Sequence, residues 1–539
     1  MKFTSVLLLK VLTVVISIFS LNILVAQERT PTDYLTKEFH AGRREAFRKM
    51  MPANSVAVVF AFPERTFSND VSYLYHPNPD LYYLTGYKEP EAVLILFKET
   101  QQKDGASYNE IMYVRKKNAL SEQWTGRRLG VEGVKKDLGF TQVYNSDEFS
   151  KIAVDFTSFS TVLYDQIPDD IGAGVLQTAM KTFMEKANVK PGQSRSTALT
   201  YNMIANYTSP SNLSTRVARI KSMLSESTDP EFKSNPIIAE LVNSPDSATL
   251  VSVQGKIRAN PLPTQEYNRV ISSLREIKTP EELGLLRKSV FISSVAHAEM
   301  MKAITPDVSE MELAGLLEYV HKKYGAEGEG YPPIVGAGAN GCILHYEENN
   351  MTDIKGEMVL MDVAAEYHGY SADVTRTVPS NGRFTPEQKA IYQLVFDAQE
   401  EVFKICKEGT PFSQLNEKAT EVLADGLVKL GIITDKKDVR KYYPHGVSHH
   451  MGLDVHDKNI TRTLKENMVI TVEPGIYIPK NSPCDPKWWD IAVRIEDDVV
   501  IGKTSCENMS TAAPRTVADV EKMAAKKSVF NELVVPKMK

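Results

Sequence analysis

Four cysteines in 539 residues, Cys342, Cys406, Cys484 and Cys506, are too few and too scattered for a disulfide scaffold or a zinc knuckle. Cys406 falls in a helical pattern and reads as a small buried hydrophobe; export would permit one bridge, with Cys484 and Cys506 the pair closest in sequence. An excess of charge is also missing. The formal net charge is only -5 and the basic residues are scattered, which excludes the electrostatic footprint of a nucleic-acid binder. Past residue 26 there is no apolar run long enough to span a membrane. What remains is an ordinary globular composition, 42% apolar and 24% charged, in a chain long enough for two or more domains.

The first 26 residues differ from the rest. Lys2 precedes an apolar stretch whose uninterrupted part, Val11 to Ala26, is short for a bilayer span and ends in a small residue before polar sequence. This reads as a secretory signal at 1–26 with cleavage after Ala26, so the protein is expected to be exported, periplasmic or secreted. Leu24 stands where a small residue is preferred, which leaves an uncleaved N-terminal anchor as the alternative.

Residues 27–276 read as a mixed α/β domain. Short apolar, β-branched runs at Ser55–Phe60, Ala92–Phe97, Ile111–Arg115 and Thr161–Tyr164 alternate with helical or loop sequence. The aromatic cluster Leu81–Tyr87 reads as core. From about 189 to 265 the composition shifts to Ser, Asn, Thr and Pro, the pattern of an insertion or a loosely built extension. A second domain, 277–525, opens on a helix start at Thr279-Pro280-Glu281-Glu282: a capping Thr, Pro at the first helical position, and Glu three residues after the cap. Residues 526–539 form a tail.

The second domain contains itself twice. Thr279-Pro280-Glu281 is followed by Thr305-Pro306 and another helix, and Thr385-Pro386-Glu387 by Thr410-Pro411 and another helix. Further on, MVLMD ending at Asp362 corresponds to MVITVE ending at Glu473, and the strand holding Asp373 to the one holding Glu496. Asp362 and Asp373 lie eleven residues apart on two apolar segments joined by a turn-rich link, so a hairpin brings both carboxylates together. His368, in that turn, reads as solvated. A pseudo-twofold unit would set two such hairpins face to face with four acids between them.

Histidine joins the same constellation. Four of the ten histidines lie between His445 and His456, and His345 occupies the matching place in the first half. Four carboxylates packed together repel unless cations sit between them. Two divalent ions balance four carboxylates and a neutral imidazole, whereas one leaves two charges uncompensated. Such a shell suits Mn²⁺, Co²⁺ or Zn²⁺. A dinuclear site with a shared water implies metal-assisted hydrolysis of a carbonyl compound, with a carboxylate such as Glu473 receiving the proton of the attacking water.

The segments HYEEN, MDVAAEYHGYSADVTRT, SHHMGLDVHD, TVEPGIYI and VRIEDD resemble those of the dinuclear metallopeptidases of pita-bread fold, and among them the Xaa-Pro aminopeptidases, over about 277–520. YLTGYKEPEAVLIL and EQWTGRRLG are similar to that family's N-terminal domain. The fold class the resemblance implies is α/β (α+β), an N-terminal mixed domain followed by a duplicated pita-bread catalytic domain. It implies Asp362, Asp373, His449, Glu473 and Glu496 as metal ligands, with Asp373 and Glu496 bridging two ions, Mn²⁺ expected. Glu473 would also be the general base, His345 and His456 would contact substrate or the leaving nitrogen, His445 would be a further active-site histidine, and Arg494 would support the site. The implied reaction releases the N-terminal residue from peptides with proline second, by attack of a metal-bridging hydroxide, in an enzyme that is commonly a dimer or tetramer.

A bond to proline is a tertiary amide whose nitrogen has no N–H to offer, which suits a dedicated site. The rival within the family is prolidase, confined to Xaa-Pro dipeptides; Ser448 before His449 and the WTGRR segment look more like the aminopeptidase. The rival from another class is a catalytically dead binding domain, and such domains lose ligands that this chain keeps. The stretch after Asp457, KNITRTLKEN, and KNSPCDPKWWD before Arg494 depart from the usual pattern and bear on the shape of the substrate cleft.

Overall fold

Thr36 caps the first helix, α1 (Lys37–Met50), by accepting from Phe39 N at 3.2 Å. The apolar run that follows, β1 (Ser55–Phe60), is buried at every position, as a strand covered on both faces must be. The computed structural model describes residues 32–103, 105–167, 173–189, 195–205, 207 and 212–532; the signal expected at 1–26 and the last seven residues of the tail lie outside them. Helix α2 (Pro79–Thr85) holds most of the aromatic cluster and ends at Gly86, whose φ of 74° and contact with the His40 ring leave no room for a Cβ. Strand β1 joins β2 (Val93–Lys103), β3 (Ala106–Val114), β4 (Val143–Asn145) and β5 (Thr161–Tyr164) in a five-stranded sheet of order β4-β3-β2-β1-β5. β1 runs antiparallel to β2 and parallel to β5. The cluster is core: Leu81, Tyr83, Leu84 and Tyr87 are buried.

Helix α3 (Val175–Ala187) leads to the polar region, which is more ordered than its composition suggests. α4 (Arg195–Ala205), α5 (Leu213–Glu226), α6 (Pro236–Asn243) and α7 (Ser247–Ala259) close around their own small core of Ile204, Val217, Ile220, Ile238, Leu241 and Val253. The reason is spacing. Leu213, Val217 and Ile220 recur on one helical face, and the Ser and Asn residues cover the outside of a body too small to bury much else.

Helix α8 (Pro263–Arg275) returns to the second domain, where α9 (Pro280–Ala303) begins in the expected capping box: Thr279 N donates to the Glu282 carboxylate at 2.9 Å. α9 packs on α10 (Glu310–Lys323). Three antiparallel strands follow, β6 (Ile334–Ala337), β7 (Met358–Val363) and β8 (Val374–Pro379), in the order β8-β7-β6. The plan repeats: α11 (Pro386–Ile405), boxed by Thr385 and Gln388, packs on α12 (Phe412–Lys429). Then come β9 (Val469–Val472), β10 (Gly475–Ile478), β11 (Ile491–Arg494), β12 (Asp497–Ile501) and β13 (Cys506–Asn508), with β9-β12-β13 as one sheet and β10-β11 as another. Among the described residues no helix is long and apolar enough to cross a membrane.

Two readings are corrected. His368 is not solvated: it is 1% exposed, with Nδ1 2.6 Å from Glu327, Nε2 2.9 Å from Asp33 and its ring stacked on Tyr34, so the turn is pinned by the N-terminal segment. All four cysteines are free thiols, and Cys506 hydrogen-bonds with Cys406 rather than with Cys484, because β13 runs past the C-terminal end of α11.

Two buried histidines set a pH limit on the fold. Burial pushes His40 down to about 4, where its Nδ1 faces Tyr83 O at 2.9 Å, and His297 of α9 down to about 3, where its Nε2 faces Val374 O at 2.8 Å. Both are neutral when folded, whereas the unfolded chain protonates them near 6.5. Their contribution is therefore complete above 6.5 and is lost as pH falls toward 4. At pH 4.5 each costs about 2–3 kcal/mol. Guanidinium unfolding should show the midpoint dropping between pH 7 and 4.5, and dropping less in His297→Gln; equal drops in both proteins would refute this.

Candidate metal centre

Strand register decides which side chains meet. Asp362 on β7 pairs with Thr375 on β8, and Asp373 lies two residues before Thr375, so alternation sends all three to one face. An isolated bridge sets Thr375 opposite Glu496 as well. Gly475 pairs with Arg494, and Glu473 and Glu496 each lie two residues beyond that pair, again on a common face. His449 arrives on a segment hydrogen-bonded along β9, where Thr471 N donates to His449 O and Glu473 N to Val447 O.

The carboxylates and the imidazole converge. Asp373, His449 and Glu496 each offer one ligand atom, and these atoms all lie within 4.8 Å of one another. His449 Nε2 is 3.2 Å from Asp373 Oδ2 and 3.6 Å from Glu473 Oε1. Asp362 is tied in by the Tyr331 hydroxyl, which contacts Asp362 Oδ1 and lies 2.7 Å from Asp373 Oδ1. Arg494 holds the far side: Nη2 contacts Asp362 Oδ2 at 2.5 Å, Nε donates to Thr375 Oγ1 at 3.2 Å, and Nη1 donates to Tyr477 OH at 2.8 Å. Thr375 in turn donates to Glu496 Oε2 at 2.6 Å, and Asp373 N donates to Asp498 Oδ2 at 2.9 Å.

Electrostatics show what this donor set lacks. Burial first, and then the Asp373, Glu473 and Asp362 charges, push the Glu496 carboxyl well above the usual range; burial also raises Glu473, and burial with Asp373 raises Asp498. Burial alone would lower His449, but the Asp373 and Glu473 carboxylates outweigh it and raise it to about 9. Without cations the cluster holds protons it would otherwise release. Divalent ions relieve the same repulsion, and an oxygen-rich shell with one imidazole accepts them, so the residues fit a metal centre.

The other expected residues surround this centre unevenly. His456 packs its ring against His449 with centroids 4.2 Å apart, and burial followed by His449 lowers its proton affinity. His445 Nε2 lies 2.9 Å from Tyr477 OH, and burial and then Arg494 hold the ring neutral with its pKa down at about 4. His345 is exposed, near enough to His456 for the two charges to oppose one another. Tyr331, Thr375 and Asp498 complete the site without being marked by any motif in the sequence. Thr375 was legible from its two-residue offset to Asp373; Tyr331, whose partners lie 31 and 42 residues away, gave no local signal.

Comparison with known proteins gives the same picture. The model of metallopeptidase family M24 matches residues 284–503, and that of the aminopeptidase P N-terminal domain matches residues 40–164. The Xaa-Pro aminopeptidase of Escherichia coli is 31% identical over 491 residues, 89% of this chain and 96% of its own length. Xaa-Pro aminopeptidase 3 of Dictyostelium discoideum is 30% identical, over 91% of this chain and 83% of its own. Among solved structures, E. coli aminopeptidase P with the inhibitor Pro-Leu superposes with a TM-score of 0.70 at 28% identity, covering 91% of this chain and 98% of that one. The zinc-substituted E. coli enzyme with product gives 0.71 at 28% identity, over 92% and 100%.

Proposed function

The chain belongs to metallopeptidase family M24 and is a metal-dependent Xaa-Pro aminopeptidase, and on that premise we propose that Asp362, Asp373, His449, Glu473 and Glu496 hold two divalent ions, Mn²⁺ by preference. The convergence of Asp373, His449 and Glu496, with Glu473 at 3.6 Å from His449, carries the assignment. When bound, the ions supply Lewis-acid polarisation of the scissile carbonyl and acidify the attacking water. Glu473 would receive the proton of that water, its carboxylate being fixed beside His449. Arg494 fixes Asp362 and, through Thr375, the Glu496 carboxylate, so the oxygens cannot turn away. His445, held at Nε2 by Tyr477 and at Nδ1 by the Gly446 carbonyl, stays neutral and shapes this side of the cleft, while His456 and His345 stand on the open side to meet the leaving nitrogen.

The N-terminal segment 1–26 exports the chain to the periplasm or the exterior, a reading supported by Lys2 and the short apolar stretch Val11–Ala26. Self-association into a dimer or tetramer is supported by the outward-facing Phe67, Tyr73, Leu74 and Trp124. Activity is tested with Ala-Pro-Ala, Ala-Pro and Ala-Ala-Ala, on protein stripped of metal and reloaded with Mn²⁺, Co²⁺ or Zn²⁺. Metal-dependent release of Ala from Ala-Pro-Ala, greatest with Mn²⁺, is expected. Cleavage of Ala-Pro alone would make the protein a prolidase, and equal cleavage of Ala-Ala-Ala would remove the proline requirement.

A further inference from the structure

Beside the metal centre the molecule opens into a larger space. A cavity of about 1000 Å³ extends from His449 and His456, past Phe412 and Arg462, to Asn202 of α4 and Arg269 of α8. Its near side is the catalytic domain. Its far wall is α8 together with Asn202 of the helical insertion, joined where Gln265 Nε2 donates to Asn202 Oδ1 at 3.1 Å. That wall falls within 165–283, between the two regions that match known families.

The cavity is lined by a cation with no acidic partner among the described residues. Arg462 is exposed and has no carboxylate partner among the described residues, whereas Arg269 is already paired with Glu266 at 2.6 Å. The Arg462 backbone is fixed, its carbonyl accepting from Phe412 N at 2.8 Å at the start of α12.

Which part of a substrate fills this space follows from the reaction. An aminopeptidase releases one residue, so on the N-terminal side of the scissile bond the substrate offers a single side chain and an amine. Only the leaving peptide is long enough to need a volume at the upper end of the range, about 300–1,000 Å³, in which proteins enclose small ligands. We infer that the cavity is the subsite for the residues after proline, that α8 and Asn202 of the helical insertion close its far end and so select short peptides, and that Arg462 takes the substrate's C-terminal carboxylate. A guanidinium suits that group because its fork matches two carboxylate oxygens. The inference rests on the aminopeptidase reading.

The test is steady-state kinetics of the full-length Mn²⁺-loaded enzyme and of its Arg462→Ala and Asn202→Trp variants, on Ala-Pro-Ala, its C-terminal amide, and an octapeptide beginning Ala-Pro. Wild type should prefer the tripeptide acid. Arg462→Ala should raise KM for the acid by about three- to tenfold and for the amide by less than twofold, with kcat little changed. Asn202→Trp should depress kcat/KM for the octapeptide more than for the tripeptide. Equal effects of Arg462→Ala on acid and amide, or of Asn202→Trp at both lengths, would overturn the inference while leaving the activity standing. Failure of the wild type to cleave Ala-Pro-Ala would instead overturn the activity, and this inference with it.

Discussion

Asp373→Asn is expected to cut hydrolysis of Ala-Pro-Ala by about a thousandfold or more, and Glu496→Gln to do the same. Both side chains belong to the triad of ligand atoms within 4.8 Å, and a neutral amide in place of either removes a charge that two cations need. Stability should move the other way. In the metal-free protein the carboxyls of Glu473 and Glu496 are held above their ordinary range by burial and by each other's neighbours, so removing one charge relieves repulsion. Metal-free Glu496→Gln should therefore melt no lower than metal-free wild type, whereas Asp373→Asn also loses the contact with His449 at 3.2 Å. Added Mn²⁺ should stabilise only the wild type, by about 2.7 kcal/mol at a hundredfold excess over Kd. A variant that keeps activity within tenfold of wild type, or that is stabilised by metal to the same extent, contradicts the ligand assignment.

Arg275→Met should destabilise the protein by about 3–5 kcal/mol, the usual consequence of removing one partner from a buried ionic cluster. The Arg275 side chain is 1% exposed and joins three carboxylates: Asp80 of α2 at 2.6 Å, Asp454 at 2.7 Å, and Asp457. Lys278 completes Asp457 at 2.9 Å and Lys458 completes Asp80 at 2.7 Å, so one network ties the N-terminal domain to the segment that follows His456. Methionine fills most of the volume and leaves buried carboxylates without their shared cation. Activity should fall as well, because Asp457 anchors the backbone that presents His456. Denaturant midpoints and kcat measured on the same preparations check both parts. A loss under 1 kcal/mol would show that Lys278 and Lys458 suffice.

The centre was legible because its chemistry is concentrated and repeated. Asp362 and Asp373 lie on one hairpin, Glu473 and Glu496 occupy corresponding strands of the second half, and period-two alternation alone fixes the faces they share. The helix starts at Thr279 and Thr385 were legible for the same reason, since a capping box is local. What escaped the sequence depends on contacts between distant segments. Arg275 looks like any helix-ending basic residue until Asp80 and Asp457 arrive from 195 and 182 residues away. His368 sits in a turn, with φ of 52°, and is buried only because Asp33 and Tyr34 fold over it. In the helical insertion a polar composition masked an apolar stripe, because a small body is mostly surface.

The most direct test of the account is the metal content of the purified mature protein, stripped and then equilibrated with Mn²⁺, measured by elemental analysis alongside release of Ala from Ala-Pro-Ala as the ion is titrated back. Two equivalents per chain are predicted, with activity rising in step with their binding and absent from Asp373→Asn. Full activity in the stripped protein, or saturation at a single equivalent, would contradict a dinuclear centre built from these five residues.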